Sequence, residues 1–392
     1  MSFIKTVFPI AALFSFRMLG LFMLIPVFTV YAGQLTGSTP TLIGVALGAY
    51  GLSQGLLQIP FGLLSDRLGR KPMLTTGLLL FALGSLLGAQ THSIWGMIIA
   101  RTLQGTGAIG GVLIALLSDL TSEKERTKSM AVIGMTIGLS FGLAMIISPL
   151  ITHHFGLAGI FYLTVSLALA GLLMVHTLIP TPKHNYFHAD TEANPSLIKT
   201  VMTDLNLQRF NASIFFQHCL FTSTFYVTPL LIKKQIQLNQ LSQAWHFYLP
   251  MMLVSFLLMM PLIIIGEKKN RIKTLFLTAI TTTFFAQLIL IFTHAEWPIF
   301  CFFMLLYLIA FNFLEATLPS LISKQVKSAM RGTAMGVYSS SQFLGIFVGG
   351  TLAGIFYSIG GSSTIFCLNS VVALIWLCIA WSIKIRSRQS LV

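Results

Sequence analysis

Apolar residues along this chain come in long runs, and short polar or basic clusters separate them. The runs fall at about residues 7–31, 41–62, 73–90, 94–117, 129–151, 157–179, 209–231, 245–265, 274–293, 298–321, 333–357 and 363–383. A membrane-crossing helix needs about 20 predominantly apolar residues, and each run comes close to that. The pattern predicts an all-α membrane protein of twelve transmembrane helices, here spans 1 to 12. Only one connection is long, residues 180–208, with Pro182, His184, Asn185, Asp190, Glu192, Asn194 and Pro195 in it. It divides the spans six and six. The expected organisation is an N-terminal bundle (1–179), a linker (180–208) and a C-terminal bundle (209–392). Parallel halves of this kind are a transporter architecture.

Composition narrows the class. Of 392 residues, 55% are apolar and 9% charged, with a mean hydropathy of +0.84. A typical soluble domain is about a quarter charged, so a soluble enzyme is excluded, and so is a disordered chain. The first run lacks a small-residue cleavage site and many more follow, so it reads as a retained span, not a signal peptide. The four cysteines, Cys219, Cys301, Cys367 and Cys378, lie in apolar runs without a C-x-x-C pair. They read as small core residues, with no disulfide or metal site.

The net charge of +14 follows from topology. Apart from Lys233, Lys234, Arg17 and Arg101, every Lys and Arg falls near a terminus, in the linker, or between an even span and the next odd one. The positive-inside rule then puts both termini and the even–odd loops in the cytoplasm. No nucleic-acid partner is expected.

The halves echo each other. Span 2 ends in Gly62-Leu-Leu-Ser-Asp66-Arg67-Leu-Gly69-Arg70-Lys71, and span 8 in Gly266-Glu267-Lys268-Lys269-Asn270-Arg271. Both give glycine, acid and then base at the same membrane edge. Span 5 carries Gly134, Gly138 and Gly142; its counterpart, span 11, carries Gly345, Gly349, Gly350 and Gly354. Small residues on one helical stripe let backbones approach closely. That suits static packing and also suits halves that rock.

A charge at mid-membrane costs on the order of 2.5–3.5 kcal/mol on insertion scales, and usually marks a pathway. Arg17 lies about ten residues into span 1, or ~15 Å deep at ~1.5 Å per residue. His218 is similarly deep in span 7, Arg101 is in the outer third of span 4, and Glu315 is in the inner half of span 10. Each has a plainer reading: snorkelling for the arginines, a satisfied core histidine for His218, a structural ion pair for Glu315. Glu315 is the one acid well inside a span. Low dielectric disfavours its charged form until a partner or water arrives, as a proton carrier requires. Asn312, Gln104, Gln54, Gln58, Gln217 and Gln342 would wet a cavity otherwise lined by some of the 32 Phe and 17 Met. Such a lining suits an amphipathic solute better than a sugar.

Three enzyme-like strings lack their context. Gly105-Thr-Gly107-Ala-Ile-Gly110 matches G-x-G-x-x-G but lies inside span 4 with no preceding strand. Gly138-Leu-Ser140-Phe-Gly142 matches a nucleophile elbow in mid-span 5. His184, His188 and Asp190 in the linker, and His153-His154, are weak metal candidates.

The loop after span 2 is close to the loop 2–3 signature of the major facilitator superfamily, and Arg101-Thr-Leu-Gln104-Gly105-Thr-Gly107 is close to its span 4 signature. On these motifs the chain resembles that superfamily, specifically its twelve-span drug:proton antiporter-like branch. The span 5 antiporter signature is matched in part, with Ser148-Pro149 where a Gly-Pro pair belongs. A closer resemblance, over most of the chain, is to the YajR-like bacterial inner-membrane transporters. It rests on Arg17-Met-Leu-Gly20, Gly138 to Pro149, His218, Asn312-Phe-Leu-Glu315 through Ser323, and Gly332 through Gly345. Some such proteins carry a soluble domain after span 12; this chain stops within about ten residues, so regulation by such a domain is not expected.

The resemblance implies the major facilitator fold and a conformational latch made of Gly62, Asp66, Arg67, Gly69, Arg70 and Asp119. Asp66 would sit against the N-terminus of span 11 near Gly332, where a carboxylate gains roughly 0.3–1 kcal/mol. Arg70 and Asp119 would complete the relay in the outward-facing state, and Arg67 and Lys71 would face lipid phosphates. The expectation is a secondary transporter working by alternating access, with no enzyme activity and no cofactor beyond the proton gradient. Arg17, Arg101, Gln104, His218, Asn312, Glu315 and Gln342 form the expected substrate and proton pathway. Glu315, with His218 as a second site, would couple protons to efflux of an amphipathic small molecule. The alternative is uptake or export of a specific metabolite such as a siderophore or carboxylate. Expected partners are that solute, protons and membrane lipid, around a monomer in a bacterial inner membrane.

Overall fold

The computed structural model describes residues 3–121, 123–181, 190–269 and 271–384. Pro182, Lys183, His184, Asn185, His188, Asn270, Arg386 and Arg388 lie outside these residues, as do the side chains of Lys5, Lys124 and Glu267.

Span 1 is two helices, α1 (Phe3–Phe22) and α2 (Phe28–Ala32). Spans 2 and 3 are α3 (Pro40–Leu68) and α4 (Arg70–Gln90), and span 4 is split into α5 (Ile94–Thr106) and α6 (Gly110–Leu120). Spans 5 and 6 run on as α7 (Glu123–Thr177), bent at Gly156. The linker contributes α8 (Pro195–Thr203). Spans 7 to 10 are α9 (Leu205–Gln237), α10 (Trp245–Lys268), α11 (Ile272–Thr293) and α12 (Trp297–Gln325), and spans 11 and 12 are α13 (Ser328–Trp381), broken at Gly360 and Gly361. Gly156 has φ 62° and Gly361 φ 69°. Only a residue without Cβ adopts that backbone freely, so glycine makes the break between these spans, alone at Gly156 and next to Gly360 at Gly361.

The breaks in spans 1 and 4 are not visible in the apolar pattern. Pro26 lies in the span 1 break and has no N–H to offer a helix. Its freed carbonyl accepts a hydrogen bond from Tyr248 Oη of span 8 at 3.2 Å. In span 4 the glycine string itself interrupts the helix. A Cβ on Gly105 would collide with the Tyr50 carbonyl of span 2, and one on Gly107 with the Gly77 carbonyl of span 3. The string that mimics a dinucleotide fingerprint thus brings three backbones together.

Side chains bury differently at the two ends. At the end away from the basic loops (the far end), one core joins both halves: Met23, Phe28, Phe141 and Met145 pack in the same cluster as Phe221, Tyr248, Met252 and Phe311. At the basic end the core divides, with Leu13, Leu74, Leu113 and Val175 in one cluster and Phe210, Phe276, Leu318 and Trp376 in the other; Phe343 of span 11 reaches into the first and Ile59 of span 2 packs on the second. Spans 2 and 11 form a seam of backbone on backbone. A Cβ on Gly48 would lie 2.7 Å from the Phe347 carbonyl, and one on Gly350 2.8 Å from that of Gly44. Gly345 and Gly349 abut the span 7 backbone at Phe215 and Cys219. The span 5 stripe behaves otherwise, since a Cβ on Gly134, Gly138 or Gly142 would meet nothing within 4 Å. The halves share one core at the far end, and toward the basic end the contact between them narrows to spans 2 and 11, down to Ile59 against Gly336.

Candidate substrate and proton site

Glu315 sits where spans 7, 10 and 11 meet. Gln217 Nε2 of span 7 donates to its Oε2 at 3.0 Å, and Gln342 Nε2 of span 11 to its Oε1 at 3.3 Å. His218 Nε2 lies 3.7 Å from Oε2 and 2.8 Å from Gln342 Nε2. The Glu315 side chain is 36% exposed while that of His218 is 8%. A shelf of rings flanks the group: Phe221 and Phe311 stack at 4.5 Å, and His218 meets Phe311 edge-on at 6.0 Å. Neutral amide donors steady a carboxylate without tying it to a fixed counter-charge, so the group can exchange a proton with little rearrangement. Asn312 belongs elsewhere. Its Nδ2 donates to Ser255 Oγ of span 8 at 2.9 Å.

The arginines lie in the first half. Arg101 Nη1 donates to Gln104 Oε1 at 2.7 Å, and Gln104 Nε2 to Ser85 Oγ at 2.7 Å. The Arg101 guanidinium stands 5.0 Å from the Tyr50 ring centroid, and Arg17 Nη2 donates to Tyr50 Oη at 3.1 Å. Both arginines are buried, at 2% and 3% exposure, so neither snorkels. Tyr50 links the two cations and meets Phe343 of span 11 edge-on at 6.2 Å. Among the described residues no carboxylate pairs with either arginine, and the partners found for Glu315 are all in its own half. Tyr50 carried no sequence signal, being one ring inside an apolar run.

At the basic end, Arg70 is a hub. Its Nη1 donates to Ser65 Oγ at 2.7 Å and pairs with Asp66, its Nε donates to Asp119 Oδ2 at 2.9 Å, and its Nη2 reaches Glu192 Oε1 of the linker at 2.5 Å. Gly69, with φ 94°, turns the chain so that Arg70 points back under span 2. A Cβ on Gly62 would meet nothing within 4 Å. Asp66 bonds Arg70, and the backbone that covers Gly332 is that of Glu192. Glu192 read in the sequence as one more polar linker residue. A second polar group also escaped notice. Asn369 Nδ2 donates to Thr224 Oγ1 and Gln287 Oε1, and its Oδ1 accepts from Ser223 Oγ, all buried in the second half.

Ser140 bonds Ser15 Oγ at 2.7 Å and the Thr136 carbonyl, a packing role in place of a nucleophile. Among the described residues no cluster of His, Cys, Asp and Glu could hold a metal.

The family described as Major Facilitator Superfamily matches residues 10–268 and 210–391. The chain is 39% identical over 382 residues to the inner membrane transport protein YajR of Escherichia coli (strain K12), covering 96% of this chain and 82% of that one. It is 27% identical over 219 residues to the class H tetracycline resistance protein of Pasteurella multocida, or 54% and 52% of the two chains. A solved D-xylose–proton symporter superposes with a TM-score of 0.73 at 17% identity, over 96% of this chain and 97% of that one; this likeness concerns the fold.

Proposed function

Because the chain belongs to the Major Facilitator Superfamily and has that fold, we propose that it is a proton-coupled secondary transporter that exports an amphipathic small molecule by alternating access. It is an integral protein of the inner membrane, as YajR is. By the positive-inside rule the basic end is cytoplasmic, and the shared core at the far end supports reading the described conformation as inward-facing. The carrying observation is Glu315, partly exposed and held by neutral amides beside His218, in a bundle closed at the far end.

In this reading a proton arrives at Glu315 from the far side when the halves have rocked, and leaves to the cytoplasm in the conformation described here. A potential of 100 mV contributes about 2.3 kcal/mol per charge moved. Gln342 touches both Glu315 and His218, so a change of protonation at one alters the bonds of the other. The solute rests against the Phe221–Phe311 shelf and enters through the gap by which the proton leaves, and it is released at the far side once the halves have rocked. Resemblance to a tetracycline resistance protein supports export. The protein works as a monomer among lipids and needs no cofactor. A second reading, carriage of an anionic metabolite, is favoured by Arg17 and Arg101, whose described contacts include no carboxylate.

The test uses purified protein in liposomes under an imposed pH gradient, with tetracycline, ethidium and citrate as probes. Saturable flux of the first two, dependent on the gradient and lost in Glu315→Gln, is expected. Gradient-driven flux that survives Glu315→Gln refutes the coupling assignment, and citrate flux alone favours the second reading.

A further inference from the structure

We propose that residues 190–194 of the linker are a removable wedge that holds the two halves apart at the basic end. They must leave before Asp66 can engage span 11. The proposal rests on the two-state movement of the halves, and is independent of which solute or ion is carried.

The segment is fastened on both sides. Toward the first half, Arg126 Nη1 donates to Asp190 Oδ1 and Oδ2 at 3.1 and 2.9 Å, and buried Arg70 donates to Glu192 Oε1 at 2.5 Å. Toward the second half, the backbone of Glu192 lies on Gly332 so closely that a Cβ there would overlap it. Asn194 N donates to Thr333 Oγ1 at 2.9 Å. A Cβ built on Gly336 would stand 3.7 Å from Ala193 Cβ and 3.4 Å from Ile59 of span 2. Glu192 is 5% exposed. The linker therefore fills the space between the basic end of span 2 and the first turns of span 11, where the seam of glycines between those spans ends.

Two demands on the same atoms make this a switch. Closure at the basic end brings the loop after span 2 onto the start of span 11, and the Glu192 backbone occupies that start. The Arg70 guanidinium already bonds Asp66 and Asp119, so Glu192 takes the remaining arm of a group that a closed latch would share out differently. Charge-assisted hydrogen bonds of this kind are the strong ones. Docked, the segment favours the inward-facing state; undocked, it frees Gly332 and Arg70 for closure.

Two measurements test this in a background with the native cysteines replaced. First, spin labels at Leu68 and Ser328, both exposed, report the separation across the basic end. Glu192→Gln should move the closed-to-open ratio about ten-fold toward closed, the size a lost charge-assisted bond gives. An unchanged ratio overturns the proposal. Second, Ala193→Cys with Gly336→Cys sets two Cβ atoms at the separation a disulfide favours, about 3.8 Å. The bond should form under mild oxidation and hold the separation at its open value until reduced. Failure to cross-link, or a cross-linked protein that still closes, sinks the wedge whatever the solute proves to be.

Discussion

Gly48 is where the seam between spans 2 and 11 can be measured. A Cβ there would stand 2.7 Å from the Phe347 carbonyl oxygen and 2.8 Å from its Cα, against an ordinary contact of 3.4–4 Å. Both obstacles are backbone, so no side chain can swing aside, and Gly48→Ala must force the helices apart by about 0.7 Å. Overpacking of this kind costs about 1–3 kcal/mol. Alanine also gains about 1 kcal/mol over glycine in helix propensity, which blurs the result of one variant taken alone. Gly138→Ala, in span 5, removes that ambiguity: it gains the same propensity and meets nothing within 4 Å. The difference between the two variants isolates the clash. At about 2–4 °C of Tm per kcal/mol for a body of 150–250 residues, near the size of one half, Gly48→Ala should melt roughly 2–12 °C below Gly138→Ala. Thermal unfolding in detergent, followed by loss of the monodisperse peak, reads this directly. Equal melting temperatures refute the close seam, and a lower one for Gly138→Ala refutes the open face of span 5.

Two further outcomes follow from the buried polar groups. Asn369→Leu removes an amide that joins Ser223, Thr224 and Gln287; it should lower stability by about 1 kcal/mol, near the upper part of what such bonds give inside membranes, and leave probe flux in liposomes intact. Arg101→Lys keeps the charge but loses the planar group over Tyr50 and the geometry of its bond to Gln104; flux of the transported probe should fall about ten-fold at unchanged expression, and full flux would show that position alone, not geometry, matters.

The span pattern was readable because lipid leaves an exposed helix little choice but to be apolar. The same uniformity hid what happens inside the spans. Pro26 and the Gly105–Gly110 string sit in apolar surroundings, and the breaks they make depend on which neighbour comes close. Glu315, His218, Gln217 and Gln342 stood out as polar residues at similar depth, and the structure brings them together. Arg17 and Arg101 stood out equally, yet they share Tyr50 within the first half and do not face Glu315 as charge partners. Depth in a span says nothing about azimuth around the bundle axis. Asn312 shows the same limit, since it lies one turn from Glu315 in sequence but bonds Ser255 of span 8. Glu192 was the least readable, because its meaning comes wholly from long-range contacts with Arg70 and Gly332. The matched glycine stripes of spans 5 and 11 look alike in sequence and differ in the fold: a Cβ on Gly134, Gly138 or Gly142 meets nothing within 4 Å, while Gly345, Gly349, Gly350 and Gly354 abut the backbones of spans 7 and 2.

Alternating access requires one pair of halves to open at either end in turn, which paired distances across the two ends can report. Labels at Leu68 and Ser328 span the basic end, and labels at Gln34 and Gln240, both exposed, span the far end. If the halves rock, a change of pH shifts the two distance distributions in opposite senses, the basic end narrowing as the far end widens. Distributions that stay fixed at both ends, or that widen together, contradict it.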